Sequence, residues 1–449
     1  MLNKKDFLKY ASKLAFPIMI QNLIGTLVNI ADTVMLGYVS QTAMSASSLA
    51  NQYTFILFCL YYGMATGTSV LCAQYWGKGD KKTVERILGL AERISLIVSL
   101  IFFVISFTMP VTVMKIFTNS PDTIAAGSEY LKVISFSFMF MGFSQVFMSA
   151  LRSIGKIMLP SVTYSVSLCV NVLCNATFIF GLFGFPKLGV TGAAIATVTA
   201  QFIVMSIMII CVIKQKKENV LKGTHLLAKI PAPYLNGICR IGIPTAIQGM
   251  AYCIISMVLT RMVSAFGAEA VATQRVGGQI ESVSWNTADG FASALNSFTA
   301  QNYGAGKYSR MKRSVTVCLL MDLAASLLVS LILIFFGNYL FRLFTQDAGV
   351  IKVGMEIISL LAPSYVLFIF IEIFSSALRG IGDVMIPMLM TCGGVCVLRI
   401  LWIFFVVPHF SGIQIILMCY PISWGVTSIL FIIYYYIRQK QFFSTHKEE

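Results

Sequence analysis

Long apolar segments alternate with short polar loops along almost the whole chain. About 20 apolar residues in a helix cross the hydrocarbon core of a bilayer, and these segments reach that length. Only helices and closed barrels satisfy the backbone in lipid, and the segments are too long for barrel strands. The pattern therefore predicts an all-α polytopic membrane protein with twelve transmembrane helices. They are expected near 14–39, 46–74, 88–112, 127–150, 158–181, 189–213, 240–265, 273–300, 314–337, 354–378, 385–408 and 412–437.

The composition agrees with this pattern. Only 11% of the 449 residues are charged and 57% are hydrophobic, whereas soluble domains are about 25% charged. The net charge is +15, but Lys and Arg form short runs in alternate loops rather than one patch, so nucleic acid is not an expected partner. The more basic side holds the N-terminus, the segment 214–240 and the tail, so both termini should be cytoplasmic. We expect a multi-pass, monomeric protein of the cell membrane, whose partners are the lipid bilayer and small molecules.

The sequence carries no motif for catalysis or for a cofactor. The eleven cysteines are scattered without a CxxC spacing, so neither a disulfide framework nor a zinc site is supported. No GxxxxGK[ST], HExxH or GxSxG motif occurs. We therefore expect neither an enzyme nor a bound cofactor, and an ion gradient rather than a nucleotide as the energy source.

The two halves of the chain are copies of each other, shifted by 227 residues. Matched pairs include Pro17 and Pro244, Gln21 and Gln248, Gln52 and Gln279, and Arg152 and Arg379. Six helices per copy is an even number, so the copies should be parallel repeats, related by a pseudo-twofold axis along the membrane normal. The predicted domains are a six-helix bundle at 1–213, a cytoplasmic linker at 214–237 and a second six-helix bundle at 238–449.

Polar residues in the first half predict a cation site. Asp32 lies within the first apolar segment, where a charge costs about 2.5–3.5 kcal/mol or more. Asn171 and Asn175 are four residues apart, on one face of the fifth helix, and Thr197 reaches a similar depth on the sixth. The four can meet in the outer half of one bundle and bind H⁺ or Na⁺, with any Na⁺ held by Asp32, Asn171 and Asn175. The alternative is ordinary hydrogen bonding between helices.

The second half carries a different polar set. Glu281, Trp285 and Asp289 are spaced four apart on the eighth helix, with Glu372 on the tenth and Arg399 on the eleventh. They form either the wall of a substrate cavity that attracts cations or a salt bridge of Arg399 with one of the glutamates. Other residues expected to line the cavity are Gln21, Gln52, Gln248, Tyr252 and Gln279.

Several motifs, spread over essentially the whole chain, resemble the multidrug and toxic compound extrusion (MATE) family. They are ADTVMLG at 31–37, NVLCNATFIFG at 171–181, GVTGAAIATVTAQ at 189–201, AQNYGAGKYSR at 300–310 and ALRGIGDVMIP at 377–387. The resemblance implies two six-helix bundles with a central cavity. It also implies export of cationic, amphipathic drugs by alternating access, as antiport against H⁺ or Na⁺. Asp32, Asn171, Asn175 and Thr197 fall where the family's cation site lies.

The sequence departs from the family pattern at three places. Asn175 is Asp in some members, so this site has a lone carboxylate. Where NorM-type members carry a Glu on helix 7 and an Asp on helix 10, this chain has Tyr252 and Phe368, with Glu372 one turn further on. The chain is therefore more similar to the DinF-like and Gram-positive branches.

Two other transporter functions remain alternatives. Related folds move polyprenyl-linked sugars, so a flippase for a lipid-linked saccharide precursor is the main one. Such proteins tend to have more helices or a strongly basic cavity, whereas the intramembrane charges here are acidic apart from Arg399. A sugar facilitator of the major facilitator type is less consistent, because the GKGDKK loop at 77–82 lacks the spacing of that family's motif.

Overall fold

The computed structural model describes residues 20, 21, 24, 25, 28, 31, 35, 41–214, 232–264, 266, 268–342, 346–410 and 412–445. Within them all regular structure is helical, which confirms the predicted all-α class. Nine of the described helices are long and apolar enough to cross a membrane, or ten if one bent pair counts as a span. Most of the first predicted helix, including Asp32, lies outside the described residues.

Seven helices of the first repeat are described. They are α1 (Gln41–Gly77), α2 (Lys81–Thr108), α3 (Pro110–Phe117), α4 (Pro121–Ile134), α5 (Phe136–Ser153), α6 (Met158–Phe180) and α7 (Gly189–Lys214). The fourth predicted segment, 127–150, is not one straight helix, because α4 and α5 meet at Ser135 with a bend of 50°. Pro110 begins α3 after a break in the third segment, as expected of a residue that cannot donate to the preceding turn.

The second repeat follows the same order with one irregular helix. Its helices are α8 (Ala232–Ser264), α9 (Ala268–Gly304), α10 (Tyr308–Arg342), α11 (Ala348–Leu361), α12 (Tyr365–Gly380), α13 (Met385–Thr391), α14 (Leu398–Phe405), α15 (Ile413–Leu417) and α16 (Cys419–Thr445). A π-helical turn at Cys392–Val397 joins α13 to α14. The eighth predicted segment forms the full-length helix α9. This helix is too polar to count among the nine apolar helices that could cross a membrane.

The 227-residue repeat is visible in the backbone itself. Helices α1 and α9 begin and end at equivalent residues, and so do α4 and α11. The turns after α1 and α9 contain Gly79 and Gly306 at φ values of 81° and 70°. Gly155 and Gly382 have φ values of 86° and 87° in the next pair of turns. These left-handed conformations favour glycine, so the repeat conserves turn geometry as well as helix length.

The described residues form two compact units, Ile20–Ala246 and a second that begins at Ile247. The division falls inside α8, whose first half packs in the first unit. There α8 crosses α1 at glycines. A Cβ on Gly67 would lie 2.6 Å from the carbonyl oxygen of Ile238, and a Cβ on Gly63 would overlap the carbonyl oxygen of Gly242. Residues 215–231 of the predicted linker lie outside the described residues, and the predicted domain bounds stay a prediction.

Candidate substrate cavity and cation site

The second unit contains a cavity of about 580 Å³. Four of the predicted substrate residues line it: Tyr252 on α8, Glu281 and Trp285 on α9, and Arg399 on α14. Glu281 and Trp285 are four residues apart, so one face of α9 presents both. Most of the remaining lining side chains are apolar or aromatic, as is usual for small-molecule pockets.

An aromatic cluster forms one wall of this cavity, with Trp285 at its centre. The Trp285 ring lies 4.5 Å from Phe368, at 89°, and 5.4 Å from Trp424. Tyr365 is 5.7 Å away, and Tyr420 lies 5.4 Å from Trp424. Edge-to-face pairs of this kind are favourable beyond the burial of their area. The wall therefore offers a rigid aromatic surface to a flat ligand.

Arg399 lies on the same cavity and is only 4% exposed. Its guanidinium carbon is 4.0 Å from the Tyr420 ring centre and 5.6 Å from that of Trp424. Its Nε donates a hydrogen bond to the Ser423 hydroxyl at 3.0 Å. Within the described part of the chain, Arg399 forms no salt bridge with Glu281 or Glu372. The structure therefore does not show the predicted salt bridge of Arg399. The guanidinium instead lies against the ring faces of Tyr420 and Trp424.

Glu281 supplies the acidic group of the cavity wall. It interacts electrostatically with Tyr365 and Tyr420. Tyr420 thus lies under the influence of both Glu281 and Arg399. Among the described residues that line the cavity, Glu281 is the acid and Arg399 the base, and they form no salt bridge with each other.

Other predicted substrate residues do not line this cavity. Asp289 and Glu372 lie outside its lining, and Glu372 has Arg379 as its basic neighbour. Asp322 on α10 is completely buried near Glu372, and its carboxylate accepts no hydrogen bond from the described residues. Gln248 and Gln279 are also outside the lining. Gln21, which is buried, and Gln52 belong to the first unit.

In the first unit, the structure brings together three of the four predicted cation-site residues. The Asn175 amide donates to the Asn171 carbonyl oxygen at 3.1 Å, and the Asn171 amide donates to the Thr197 hydroxyl at 3.5 Å. Asn171 and Asn175 are buried on α6, and Thr197 is on α7. The fourth residue, Asp32, lies outside the described residues, so its role stays a prediction.

Sequence reasoning missed the aromatic residues of the last helix. Tyr420 and Trp424 are four residues apart near the start of α16, and Ser423 lies between them. That spacing, in CYPISW at 419–424, would have indicated a shared face. Phe368 was noted only as a departure from a family pattern, although it contacts Trp285 directly.

These features define an integral membrane transporter: all-α, with repeated halves and a cavity within one of them. The MatE family model matches residues 17–177 and 244–405, two segments that begin 227 residues apart. The chain therefore belongs to the MatE family. This is a family of transporters rather than enzymes, as the sequence predicted.

The relatives of the chain agree with this assignment. A probable multidrug resistance protein NorM from Thermotoga maritima is 27% identical over 89% of this chain and 85% of its own length. The probable multidrug resistance protein YoeA from Bacillus subtilis is 22% identical over 93% of this chain and 91% of its own. A crystal structure of MATE in the bent conformation superposes with a TM-score of 0.89 at 21% identity, covering 98% of this chain and 97% of the other. At that identity the structural likeness supports the fold.

Proposed function

We propose that the protein exports amphipathic, mostly cationic small molecules across the cell membrane by alternating access, in antiport with H⁺ or Na⁺. The observation that carries this is the cavity of the second unit, where the aromatic wall around Trp285 adjoins Glu281. The names of the relatives, probable multidrug resistance proteins, support the same function. Both termini lie in the cytoplasm in this proposal, as the distribution of Lys and Arg indicates.

The cavity suits flat, lipophilic substrates. Aromatic faces bind rings and cations without demanding a fixed hydrogen-bond pattern. Glu281 supplies the negative charge that a cationic substrate needs in a medium where charges are poorly screened. A site that combines the two accepts many related compounds, which is what multidrug export requires.

Coupling to the ion gradient is assigned to the first unit. Asn171, Asn175 and Thr197 form a connected polar group across α6 and α7. In this proposal Asp32 completes the group and takes up the ion. Protonation or ion binding there changes the hydrogen bonds that the amides make, and so favours one of the two conformations of the transporter.

The direct test is ethidium transport in liposomes that contain the purified protein, with a pH gradient and a Na⁺ gradient imposed separately. At least one gradient should drive accumulation, and an ionophore that collapses that gradient should abolish it. Accumulation that is the same with and without each gradient would reject coupled antiport.

The role of the second-unit acids is tested by neutralising Glu281, which lines the cavity, and Glu372, which does not, singly and together. Neutralising Glu281 should lower transport of cationic dyes more than transport of neutral ones, because only cations lose an electrostatic attraction. An equal loss for both kinds of dye would show that the acids act on structure rather than on substrate charge.

A further inference from the structure

We propose that Glu92 of α2 is a proton-binding site inside the first unit, reached from the outer end of α2 along buried hydroxyls of α1 and α2. The inference deepens the proposed function and rests on it for the link between proton binding and transport. The outer end is the end of α2 at Thr108, in the topology proposed above. The site is separate from Asn171, Asn175 and Thr197, which lie on α6 and α7.

Glu92 is an acid in the interior of the first unit. It is only 1% exposed, and neither of its side-chain oxygens has a hydrogen-bond partner among the described residues. It lies about 16 Å along α2 from the first residue of that helix, Lys81. A buried carboxylate without donors is so unfavourable that the group takes up a proton instead. A proton satisfies a lone carboxyl, whereas a metal ion needs several oxygen ligands.

No charged group of the neighbouring helices balances this acid. The titratable groups that α1 places against α2 are Tyr61 and Cys72, and Arg152 lies at the end of α5, where it acts on Tyr164. Helices α3 and α4 pack further out, against the part of α2 that follows Glu92. Within the described part of the chain, none of these helices, nor α2 itself, supplies Glu92 with a salt bridge or an electrostatic partner.

A stripe of buried serines continues from Glu92 along the same face of α2. Ser95, Ser99 and Ser106 follow it at helical spacing and are completely buried. The hydroxyl of Ser95, one turn from Glu92, also lacks a hydrogen-bond partner among the described residues. Buried polar groups without partners are rare, so two of them on adjacent turns indicate a role beyond packing.

The hydroxyl of Tyr61 on α1 extends this stripe. It lies 2.6 Å from the Ser99 hydroxyl and 2.9 Å from the carbonyl oxygen of Phe138. The Ser99 hydroxyl in turn lies 2.6 Å from the carbonyl oxygen of Ser95. Each hydroxyl therefore has two oxygens within reach. Because a hydroxyl both donates and accepts, a proton can pass from one to the next.

A second tyrosine and serine, Tyr53 and Ser106, are neighbours nearer the outer end. Phe102 lies between Ser99 and Ser106 on α2, and its ring packs 5.3 Å from that of Tyr53. From Ser106 to Glu92 the stripe covers about 21 Å of helix. The route is interrupted at Phe102 in this conformation, as a transporter requires, since a continuous path would let protons leak.

The repeat shows that the fold does not need this route. The second copy does bury an acid on the equivalent helix, Asp322, at the position of Ser95. Its other equivalent positions are apolar, so the hydroxyl route belongs to the first copy alone. With the 227-residue offset, the pairs are Glu92 and Leu319, Tyr53 and Ile280, Tyr61 and Ala288, and Ser106 and Leu333.

The test of the site is infrared spectroscopy of the full-length protein in lipid nanodiscs at neutral pH. A protonated carboxyl gives a carbonyl band that a carboxylate lacks. Wild type should show such a band, and Glu92→Gln should lose it. Glu129→Gln removes an exposed acid of the same unit and should keep the band. Glu92→Asp should move the band, which assigns it even if Glu92→Gln does not fold.

The test of the route is the rate at which this band shifts after transfer to D₂O, because the shift requires proton exchange at Glu92. Tyr61→Phe and Ser99→Ala each remove one hydroxyl and leave the acid in place. Each should slow the exchange about tenfold, the effect of one lost hydrogen bond on a barrier. Ser167→Ala removes a buried hydroxyl on α6, away from the route, and should exchange as wild type.

Persistence of every carbonyl band in Glu92→Gln would overturn the inference, because Glu92 would then be ionised. Equal exchange rates in wild type, Tyr61→Phe and Ser99→Ala would overturn it as well. So would an equal slowing in Ser167→Ala, since the effect would then not depend on the route.

The link to transport is measured separately in liposomes. Glu92→Gln should lose the ethidium accumulation that a pH gradient drives, and Glu129→Gln should keep it. If Glu92→Gln keeps it, or if only a Na⁺ gradient drives wild type, the inference fails while coupled antiport stands. A wild type that no gradient drives would reject the proposed function, and the infrared bands would still decide whether Glu92 binds a proton.

Discussion

The crossing of α1 and α8 in the first unit leads to a sharp prediction about stability. Replacing Gly63 by alanine places a Cβ against the carbonyl oxygen of Gly242, within overlap distance, and 2.9 Å from the Ala246 Cβ. The obstructing atoms belong to the backbone and to a side chain with no rotamers, so no side-chain movement can relieve the contact. The two helices must separate instead.

The expected magnitude follows from this geometry. Overpacking of a close contact costs about 1–3 kcal/mol, whereas alanine in place of glycine in a helix gains up to about 1 kcal/mol. A backbone obstruction calls for the upper end of the first range, so the net change for Gly63→Ala is a loss of about 2 kcal/mol. For a unit of this size, that corresponds to a melting temperature lower by about 4–8 °C.

The assay is thermal unfolding of purified protein in detergent, and α9 offers the matched control. Gly278 is also helical, but a Cβ there would meet nothing within 4 Å. Gly278→Ala should therefore leave the melting temperature unchanged or raise it slightly. If Gly63→Ala melts at the same temperature as Gly278→Ala, the close crossing of α1 and α8 is not formed as described.

Three further predictions concern coupling, topology and a helix cap. Asp32→Asn should abolish gradient-driven export while keeping expression and dye binding, because the amide cannot take up a proton; export at the wild-type rate would move the coupling site elsewhere. A cysteine replacing Lys222 in the predicted linker should resist a membrane-impermeant thiol reagent on intact cells, and labelling there would contradict a cytoplasmic linker. Asp80, in the loop before α2, accepts hydrogen bonds from the Thr83 hydroxyl and backbone N–H, which lower the pKa of its carboxyl. At a pH above the pKa of an aspartate in the unfolded chain, Asp80→Ala should lower the free energy of unfolding by about 0.5–1 kcal/mol. That difference should vanish as the pH falls through the lowered folded-state pKa, so a pH-independent difference in melting temperature would refute the cap.

The predictions that the structure confirmed depend on local or repeated patterns in the sequence. Helix α9 occupies the eighth predicted segment because helix formation in lipid depends on the backbone, which every residue carries. The equal bounds of α1 and α9 were already implied by the 227-residue offset. Asn171 and Asn175 meet because residues four apart always share a helix face.

The surroundings of Arg399 could not be predicted in this way. Its partners lie on α16, more than 20 residues further along the chain, and which side chains meet across two helices depends on how each is rotated about its axis. The π-helical turn at Cys392–Val397 changes that rotation. One extra residue in a turn shifts all later positions by about 100° around the axis. Counting residues from the start of the helix therefore gives the wrong face.

The sequence by itself determined the membrane class, the helix order, the repeat and the residues that carry charge into the bilayer, because each of these follows from hydropathy or from a fixed offset. Only the tertiary structure decided which groups surround each of those charges. Arg379 has Glu372 as its acidic neighbour, whereas Arg399 is held by Tyr420 and Trp424 on a cavity that Glu281 also lines. The physical reason is that electrostatic partners are chosen by distance in space, and helix packing sets that distance with little trace in the spacing along the chain.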